Sequence, residues 1–186
     1  WSFFYVLKAF NCYDSCDMGT QQLAGSMSTL ARFNESAFLP IPTRAEQYQA
    51  MVAHGRKVAK SKRVVIAGLA RNIGRILTKT TARIEHTGEM FKDYRVVIFE
   101  NDSIDDTTKR LLDWARDNVR VHVISEERND PVNPGTRCLN RTTRMAVYRN
   151  KCQDYIRDNF PEFDYVILVD TDIAGGWSYD GVANTI

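Results

Sequence analysis

The stretch "RVVIAGLA", Arg63 to Ala70, decides the fold class. It is a continuous run of apolar residues, rich in β-branched side chains, with no alternation between polar and apolar positions. Such a run is typical of a strand in a parallel sheet that helices cover on both faces, because the side chains on both sides must then be buried. The stretch therefore predicts a buried central strand of an α/β domain.

Three further apolar runs follow along the chain, and a helical pattern separates each run from the next. The predicted strands are "YRVVIFE" (94–100), "VRVHVIS" (119–125) and "DYVILVD" (164–170), and the predicted helices span about 73–91, 105–118 and 136–160. A regular alternation of strand and helix favours parallel strands joined by crossover helices. We therefore expect a Rossmann-like α/β fold, with a mostly parallel central sheet flanked by helices.

The chain before the first of these strands has a different character. Residues 1–43 contain scattered Gly, Ser and Asn and close on "LPIPT", so we predict an irregular N-terminal extension that wraps a domain formed by residues 44–186. Thr43 and Glu46 have the spacing of a capping box, which predicts Thr43 as the N-cap of a helix that runs to about Ala59. The last residues, "GVANTI", carry no stop signal, and we expect the domain to be truncated at this end.

Composition and charge exclude some classes of protein. A net charge of +2 is too small for a nucleic-acid-binding protein. No stretch reaches the ~18 to 20 consecutive apolar residues of a membrane span. Cys12 and Cys16 could form a small disulfide in a secretory lumen. The expected compartment is the secretory-pathway lumen if the source is eukaryotic, and the cytoplasm otherwise.

Polar residues follow all four predicted strands. In open α/β sheets, ligands bind beyond the carboxyl ends of the strands, so we expect a polar ligand site there. The loop after the first strand, "GLARNIG", has neither the dinucleotide-binding nor the P-loop glycine pattern, which argues against a dehydrogenase and a P-loop NTPase. The polar segments are "ARN" (70–72), "ENDSIDDT" (100–107), "SEERND" (125–130) and "DTD" (170–172).

The acids of "DTD" are candidate metal ligands. Asp170 and Asp172 are two positions apart, so in an extended chain their side chains point to the same side. Two carboxylates together with the oxygens of a diphosphate suit Mg²⁺ or Mn²⁺, and the metal would neutralise charge on a leaving diphosphate. The alternative is that Asp170 caps a turn while Asp172 is solvated.

The long helix over 136–160 combines an apolar stripe with arginines. At about 100° per residue, Arg141 and Arg149 are predicted to share the inward stripe, and an arginine on an apolar face needs an anionic partner. We interpret Arg149 as a ligand for phosphate or sugar oxygens. The alternative, which we expect for Arg141, is a buried ion pair with a core acid or a side chain that snorkels to solvent at the end of the helix. The apolar members of the stripe are Met145, Tyr148, Cys152 and Ile156.

Three motifs, in this order along the chain, resemble the GT-A class of nucleotide-sugar glycosyltransferases: "FENDSIDDT", "RTTRMAVYRN" and "VDTD". The spacing is similar to that of the fungal capsule-associated and α-1,3-mannosyltransferase-like branch, which has an E-S-G-S-x-D-x-T loop and an R-I-x-x-L-A-x-x-R-N helix. The matching residues are Glu100, Ser103, Asp105 and Thr107 in the loop, and Arg141, Ala146, Arg149 and Asn150 in the helix. Asn101 and Asp102 replace a Ser/Asp-Gly pair, and "DTD" replaces an N-D-V type of strand end.

The resemblance implies a GT-A fold and a metal-dependent glycosyltransferase of the hexosyltransferase type. Such an enzyme moves a sugar from a nucleoside diphosphate donor to a hydroxyl of a glycan or another acceptor, with Mn²⁺ or Mg²⁺ as the cofactor. The resemblance names no catalytic base here. Two alternatives stay open, a nucleotidyltransferase and a non-catalytic module that binds nucleotide sugars.

The resemblance also implies roles for individual residues. Asp170 and Asp172 would hold the metal and the diphosphate as a D-x-D motif. Trp177, Tyr179 and Asp180 either begin a platform for the acceptor or fill the core. The residues implied to bind the donor are Arg71 and Asn72 in the nucleotide pocket, Glu100 and Asn101 beside the base and ribose, Arg149, and Asp170.

Overall fold

The structure is a computed structural model that describes the backbone of residues 2–5 and residues 27–131 and 139–186. Its centre is a sheet of five strands in the order β1-β5-β2-β3-β4, and every neighbouring pair is parallel. This confirms the predicted α/β class and the parallel sheet. The strands are β1 (Ser2–Tyr5), β2 (Arg63–Ala70), β3 (Asp93–Asn101), β4 (Val121–Glu126) and β5 (Tyr165–Asp170).

Helices cover both faces of this sheet. Among the described residues, none of them is both long enough and apolar enough to cross a membrane. The described helices are α1 (Met27–Leu30), α2 (Ala45–Ala59), α3 (Gly74–Glu89), α4 (Thr107–Asp117), α5 (Leu139–Asn159) and α6 (Tyr179–Asn184).

Alternate side chains of each central strand enter different halves of the core. Val64 and Ile66 of β2 belong to the apolar cluster that includes residues of α3, α4 and α6. Val65 and Ala67 belong to a second cluster, which includes the inward face of α5. Because both faces are buried, each position needs an apolar side chain, which explains the absence of polar alternation in β2.

The order of the strands reverses next to β2. The chain runs from β2 through α3, β3 and α4 to β4 on one side, and then returns through α5 to place β5 on the other side of β2. In register, Leu69 pairs with Asp170 and Ala70 pairs with Glu100, so the carboxyl ends of β5, β2 and β3 lie side by side. Such a reversal is where open α/β sheets bind ligands.

The first 43 residues contain more regular structure than predicted. Strand β1, helix α1 and two short 3₁₀ turns lie in this segment. Glu35 accepts hydrogen bonds from Ser178 Oγ (2.6 Å) and the Tyr179 amide (2.7 Å), so the segment contacts the start of α6. The division into an extension and a domain stays a prediction, and Cys12 and Cys16 lie outside the described residues.

The predicted N-cap of the first long helix is wrong by one residue. Pro42–Arg44 form a 3₁₀ turn, in which the Arg44 amide donates to Ile41 O (2.9 Å), and α2 begins at Ala45. Thr43 therefore lies within a turn and does not cap the helix. The predicted end at Ala59 is confirmed.

Candidate functional site

The loop after β2 connects the ends of three strands. Asn72 adopts a left-handed backbone conformation (φ 55°) and accepts a hydrogen bond at Oδ1 from the Ile104 amide (2.8 Å). Arg71 donates from Nη2 to Asp130 O (2.8 Å), in the segment that follows β4. Both predicted nucleotide-pocket residues therefore lie at the carboxyl end of the sheet, and their side chains link β2 to the neighbouring loops.

Asp105 holds the starts of two helices. Its carboxylate accepts hydrogen bonds from the Gly74 amide (2.9 Å) at the start of α3 and from the Thr107 amide (3.0 Å) at the start of α4. Burial raises the pKa of Asp105, but the hydrogen bonds from Thr107 and Gly74 outweigh it and lower the pKa. Asp106, which directly precedes α4, makes no side-chain capping bond, and Asp105 accepts from the first amide of the helix instead.

Glu100 and Asn101 are buried at the end of β3. Glu100 is 1% exposed, and its two carboxylate oxygens accept from the Ser103 amide (3.0 Å) and from Ser125 Oγ (2.7 Å). Asn101 is 3% exposed and donates from Nδ2 to Asp102 (2.8 Å). Glu100 thus links the end of β3 to β4, whereas Asn101 contacts its neighbour Asp102. Their roles beside the base and ribose stay predictions.

Asp102 follows β3 at the carboxyl end of the sheet, and no motif predicted a role for it. It accepts hydrogen bonds from three successive backbone amides, those of Arg128 (2.8 Å), Asn129 (3.0 Å) and Asp130 (3.1 Å). Burial raises the pKa of Asp102, but these bonds and the one from Asn101 outweigh it and lower the pKa to about 2. The φ of Asp102, 52°, lies in the region that favours glycine.

A charged cluster joins the loop after β4 to helix α5. The Asp130 carboxylate accepts from the Tyr148 hydroxyl and lies 3.6 Å from Nε of both Arg128 and Arg144. The guanidinium of Arg128 also lies over the Tyr148 ring, 5.5 Å from its centroid. Arg144 lies against the rim, because the loop after β4 supplies an acid that the sequence pattern could not place.

The inward stripe of α5 is confirmed for three of its four apolar members; Met145 is half-buried, and the prediction is wrong for Arg149. Tyr148, Cys152 and Ile156 are buried, and burial raises the pKa of the Cys152 thiol to about 12. The Arg149 side chain is 47% exposed, because α5 is rotated on the sheet so that Tyr148 and Cys152 face the core and Arg149 lies at the edge of the stripe. From there its Nη2 lies 3.7 Å from Asp170 Oδ1. Arg141 is half-buried near the start of the same helix.

The two acids of "DTD" face solvent, and the residue between them faces inward. The Asp170 side chain is 53% exposed and Asp172 is exposed, whereas Thr171 is 3% exposed and its hydroxyl donates to Leu69 O. Within the described part of the chain, Asp172 has no hydrogen-bond or ion-pair partner. Both carboxylates therefore keep oxygens available to a ligand.

The two carboxylates of Asp170 and Asp172 fit one kind of metal site. Nowhere in residues 27–131 and 139–186 do three or more metal-binding side chains come together, so the protein offers the two aspartates and no cage of its own. Mg²⁺ typically binds to one or two carboxylates together with waters and substrate phosphates. The pair therefore suits a metal that arrives with a diphosphate.

Of the three candidates for an acceptor platform, Trp177 and Tyr179 fill the core, and the partly exposed Asp180 pairs with Arg56. Trp177 is 6% exposed and donates from Nε1 to Thr87 Oγ1 (2.9 Å). Tyr179 is 7% exposed and donates its hydroxyl to Ala31 O. Asp180 accepts from Arg56 Nη2 at 2.5 Å. Of the two alternatives for these residues, the structural one holds.

The sheet and its flanking helices define the class of protein as Rossmann-like α/β. No protein-family model matches the chain, and no curated protein matches its sequence. Among solved structures, the chain is similar to the mannosyltransferase PcManGT from Pyrobaculum calidifontis, in complex with GDP-Man and Mn²⁺, with a TM-score of 0.40 and 15% identity. The likeness covers 86% of this chain but 43% of that enzyme. A likeness of this size does not identify a family or a substrate.

Proposed function

We propose that this chain carries the donor-binding part of a metal-dependent glycosyltransferase. The enzyme would transfer a sugar from a nucleoside diphosphate to a hydroxyl of a glycan or another acceptor. One observation carries the proposal. Two solvent-facing carboxylates, those of Asp170 and Asp172, lie at the strand-order reversal of a parallel sheet, with Arg149 beside them.

The charges of this corner suit a diphosphate bound with a metal. Mn²⁺ or Mg²⁺ between the two aspartates and the phosphate oxygens would neutralise the negative charge that develops on the leaving group. Arg149 could then exchange Asp170 for a phosphate oxygen. This exchange costs little, because ion pairs between exposed side chains contribute only ~0 to 1 kcal/mol to stability.

The remaining rim residues suit the nucleoside. Arg71 and Asn72 follow β2, next to Asp170 at the end of β5. Glu100 and Asn101 lie at the end of β3, one strand further along the sheet. A base would have to share the hydrogen bonds that these two residues make within the protein, and Glu100 allows this because each of its carboxylate oxygens has two acceptor sites. The GT-A fold and membership of the fungal mannosyltransferase-like branch belong to this proposal, and the identity of the base is left open.

Calorimetric titration with UDP, GDP and ATP, each with and without Mn²⁺, tests the proposal. We expect one nucleoside diphosphate to bind only when Mn²⁺ is present. If neither UDP nor GDP shows metal-dependent binding, the proposal is wrong. Preferential binding of ATP with release of pyrophosphate would identify a nucleotidyltransferase instead.

A second measurement separates catalysis from binding. The nucleotide sugar that matches the bound diphosphate is incubated with the protein and Mn²⁺, and release of the free sugar is followed over time. A glycosyltransferase hydrolyses its donor slowly when no acceptor is present, whereas a binding module leaves it intact. Binding without any hydrolysis or transfer would therefore contradict the enzymatic part of the proposal.

A further inference from the structure

Three polar side chains on one face of α3 contact the segment that follows β5. We define residues 170–177 as the acidic loop. Thr80 Oγ1 donates to Thr171 O (3.1 Å), Arg83 Nη1 donates to Ala174 O (2.9 Å), and Thr87 Oγ1 accepts from Trp177 Nε1 (2.9 Å). Spacings of three and four residues place the three side chains on one face of the helix, and they contact the loop at every third residue. We call these three residues the α3 ladder.

Arg83 is the unusual member of the ladder. It is 7% exposed, and among the described residues it has no carboxylate within ion-pair distance and no hydrogen-bond partner for its Nε. Burial lowers the pKa of its guanidinium. Burying a cation without an anionic partner opposes folding, so an arginine is a poor choice if the position only fills space.

The backbone of the acidic loop is shaped to fit this arginine. Gly176 has a φ of +79°, a conformation that favours glycine. A Cβ atom added at Gly176 would lie 2.6 Å from Arg83 Nε, so any larger residue would displace the guanidinium. Arg83 thus donates to the loop at Ala174 and packs against it at Gly176.

These contacts fix the backbone on both sides of Asp172. On one side, Thr171 is held at its carbonyl by Thr80 and at its hydroxyl by Leu69 O. On the other side, Ala174 is held by Arg83. Because Asp172 has no hydrogen-bond or ion-pair partner of its own in the part of the chain described, the position of its carboxylate depends on these two anchors.

We propose that Thr80 and Arg83 are positioning residues, which hold the Asp172 carboxylate where a metal and a diphosphate can use it. What Asp172 binds rests on the proposed function, whereas the control of the loop by α3 does not. It matters that Asp172 is held in place before the ligand binds. Ordering a mobile side chain on binding costs entropy, and this cost weakens the affinity for the ligand.

The test compares two adjacent threonines and two replacements of the arginine. Thr80→Val removes the bond to the acidic loop, whereas Thr81→Val removes only a bond from Thr81 Oγ1 to Thr78 O in the same helix (3.2 Å). Arg83→Leu removes the hydrogen-bond donor to Ala174 O, and Arg83→Lys keeps a charged donor at the same position. Hydrogen exchange of the amides in 172–176 is measured without ligand, and UDP and GDP binding is measured with and without Mn²⁺.

We expect Thr80→Val and Arg83→Leu each to accelerate exchange in the acidic loop by about tenfold, and to weaken Mn²⁺-dependent diphosphate binding by a similar factor. Exchange in β3 and β4 stays unchanged. Arg83→Lys recovers most of both losses, and Thr81→Val behaves like the parent. A merely structural role would destabilise the whole domain and would not spare these strands.

Equal loop exchange and equal diphosphate binding in Thr80→Val and Thr81→Val would overturn the inference. This pair also decides the question if Arg83→Leu does not fold. If the parent protein shows no metal-dependent binding, the proposed function fails. Loop exchange then still tests whether α3 controls the loop, so the two failures are distinguishable.

Discussion

Two aspartates at the rim, Asp102 and Asp172, differ in what already surrounds their carboxylates. Asp102 accepts four hydrogen bonds, three of them from successive backbone amides, whereas no described residue donates to Asp172. The first carboxylate has its acceptor sites largely occupied by the protein. The second retains them for a ligand. Residue type alone does not separate the two roles.

The low pKa of Asp102 predicts how stability depends on pH. Its folded pKa of about 2 lies below the unfolded value of about 3.9, so its contribution is present above pH ~4 and is lost as the pH falls towards ~2. We expect Asp102→Asn to lower the free energy of unfolding at pH 7 by about 1 to 2 kcal/mol. Denaturant unfolding at several pH values should show this difference shrinking between pH 4 and pH 2. A difference that is constant over this range would contradict the assignment.

Arg149 should matter for binding and not for stability. Its ion pair with Asp170 is long, at 3.7 Å, and both side chains are about half exposed. We expect Arg149→Gln to change the free energy of unfolding by less than ~0.5 kcal/mol but to weaken Mn²⁺-dependent diphosphate binding by about tenfold.

The matched control for Arg149 is Arg157→Gln. Arg157 lies on the same helix, is 60% exposed and pairs with Asp154 at 3.0 Å, away from the rim. It should change neither stability nor binding. If Arg149→Gln binds the diphosphate as tightly as Arg157→Gln does, Arg149 does not contact the donor.

At the scale of elements, the starts of α3 and α4 depend on one side chain. Asp105 accepts from the first turns of both helices, whereas Asp106 makes only a long ion pair with Arg110 (3.6 Å). We therefore expect Asp105→Ala to lower the free energy of unfolding by about 1 to 2 kcal/mol, and Asp106→Ala by less than ~0.5 kcal/mol. Thermal or denaturant unfolding of the two variants measures this. Equal losses would show that the shared cap contributes little.

The elements themselves were largely predictable, and the reason is local. The four long strands and α5 are defined by apolar patterns that lie within the element, so periodicity was sufficient to find them. The start of α2 was not predictable, because Pro42 opens a 3₁₀ turn ahead of the helix. The α3 ladder was not predictable either, since Thr80 and Arg83 lie 91 residues from the carbonyls that they contact.

Site residues were predicted unevenly for a similar reason. The exposure of Asp170 and Asp172 agrees with the two-residue period read from the sequence, which is local, although Thr171 and Asp172 lie in a turn and not in the strand. The exposure of Arg149 depends on how α5 is rotated on the sheet, and the burial of Trp177 depends on the distant Thr87. Asp102 acts through the backbone of the loop after β4, and no side-chain motif indicates such a contact.

At the scale of the whole molecule, the order of the strands places the two acids where an open α/β sheet binds ligands. A D-x-D sequence is common, but here it lies where the strand order reverses, between β5 and β2, and α5 carries Arg149 to the same corner. The two halves of the core, one on each face, hold the four strand ends of this rim on a single rigid sheet. Rigid support of this kind is what a site with few ligands requires.

The Mn²⁺ dependence of diphosphate binding in Asp172→Asn tests the central claim most directly. UDP and GDP are titrated into the parent, into Asp172→Asn, and into Asp113→Asn, a control for an acid that pairs with Arg116 on the surface of α4. We predict that Mn²⁺ tightens diphosphate binding by at least about tenfold in the parent and in the control, and has no effect in Asp172→Asn. Full retention of the Mn²⁺ effect in Asp172→Asn would contradict the assignment of this aspartate to the metal.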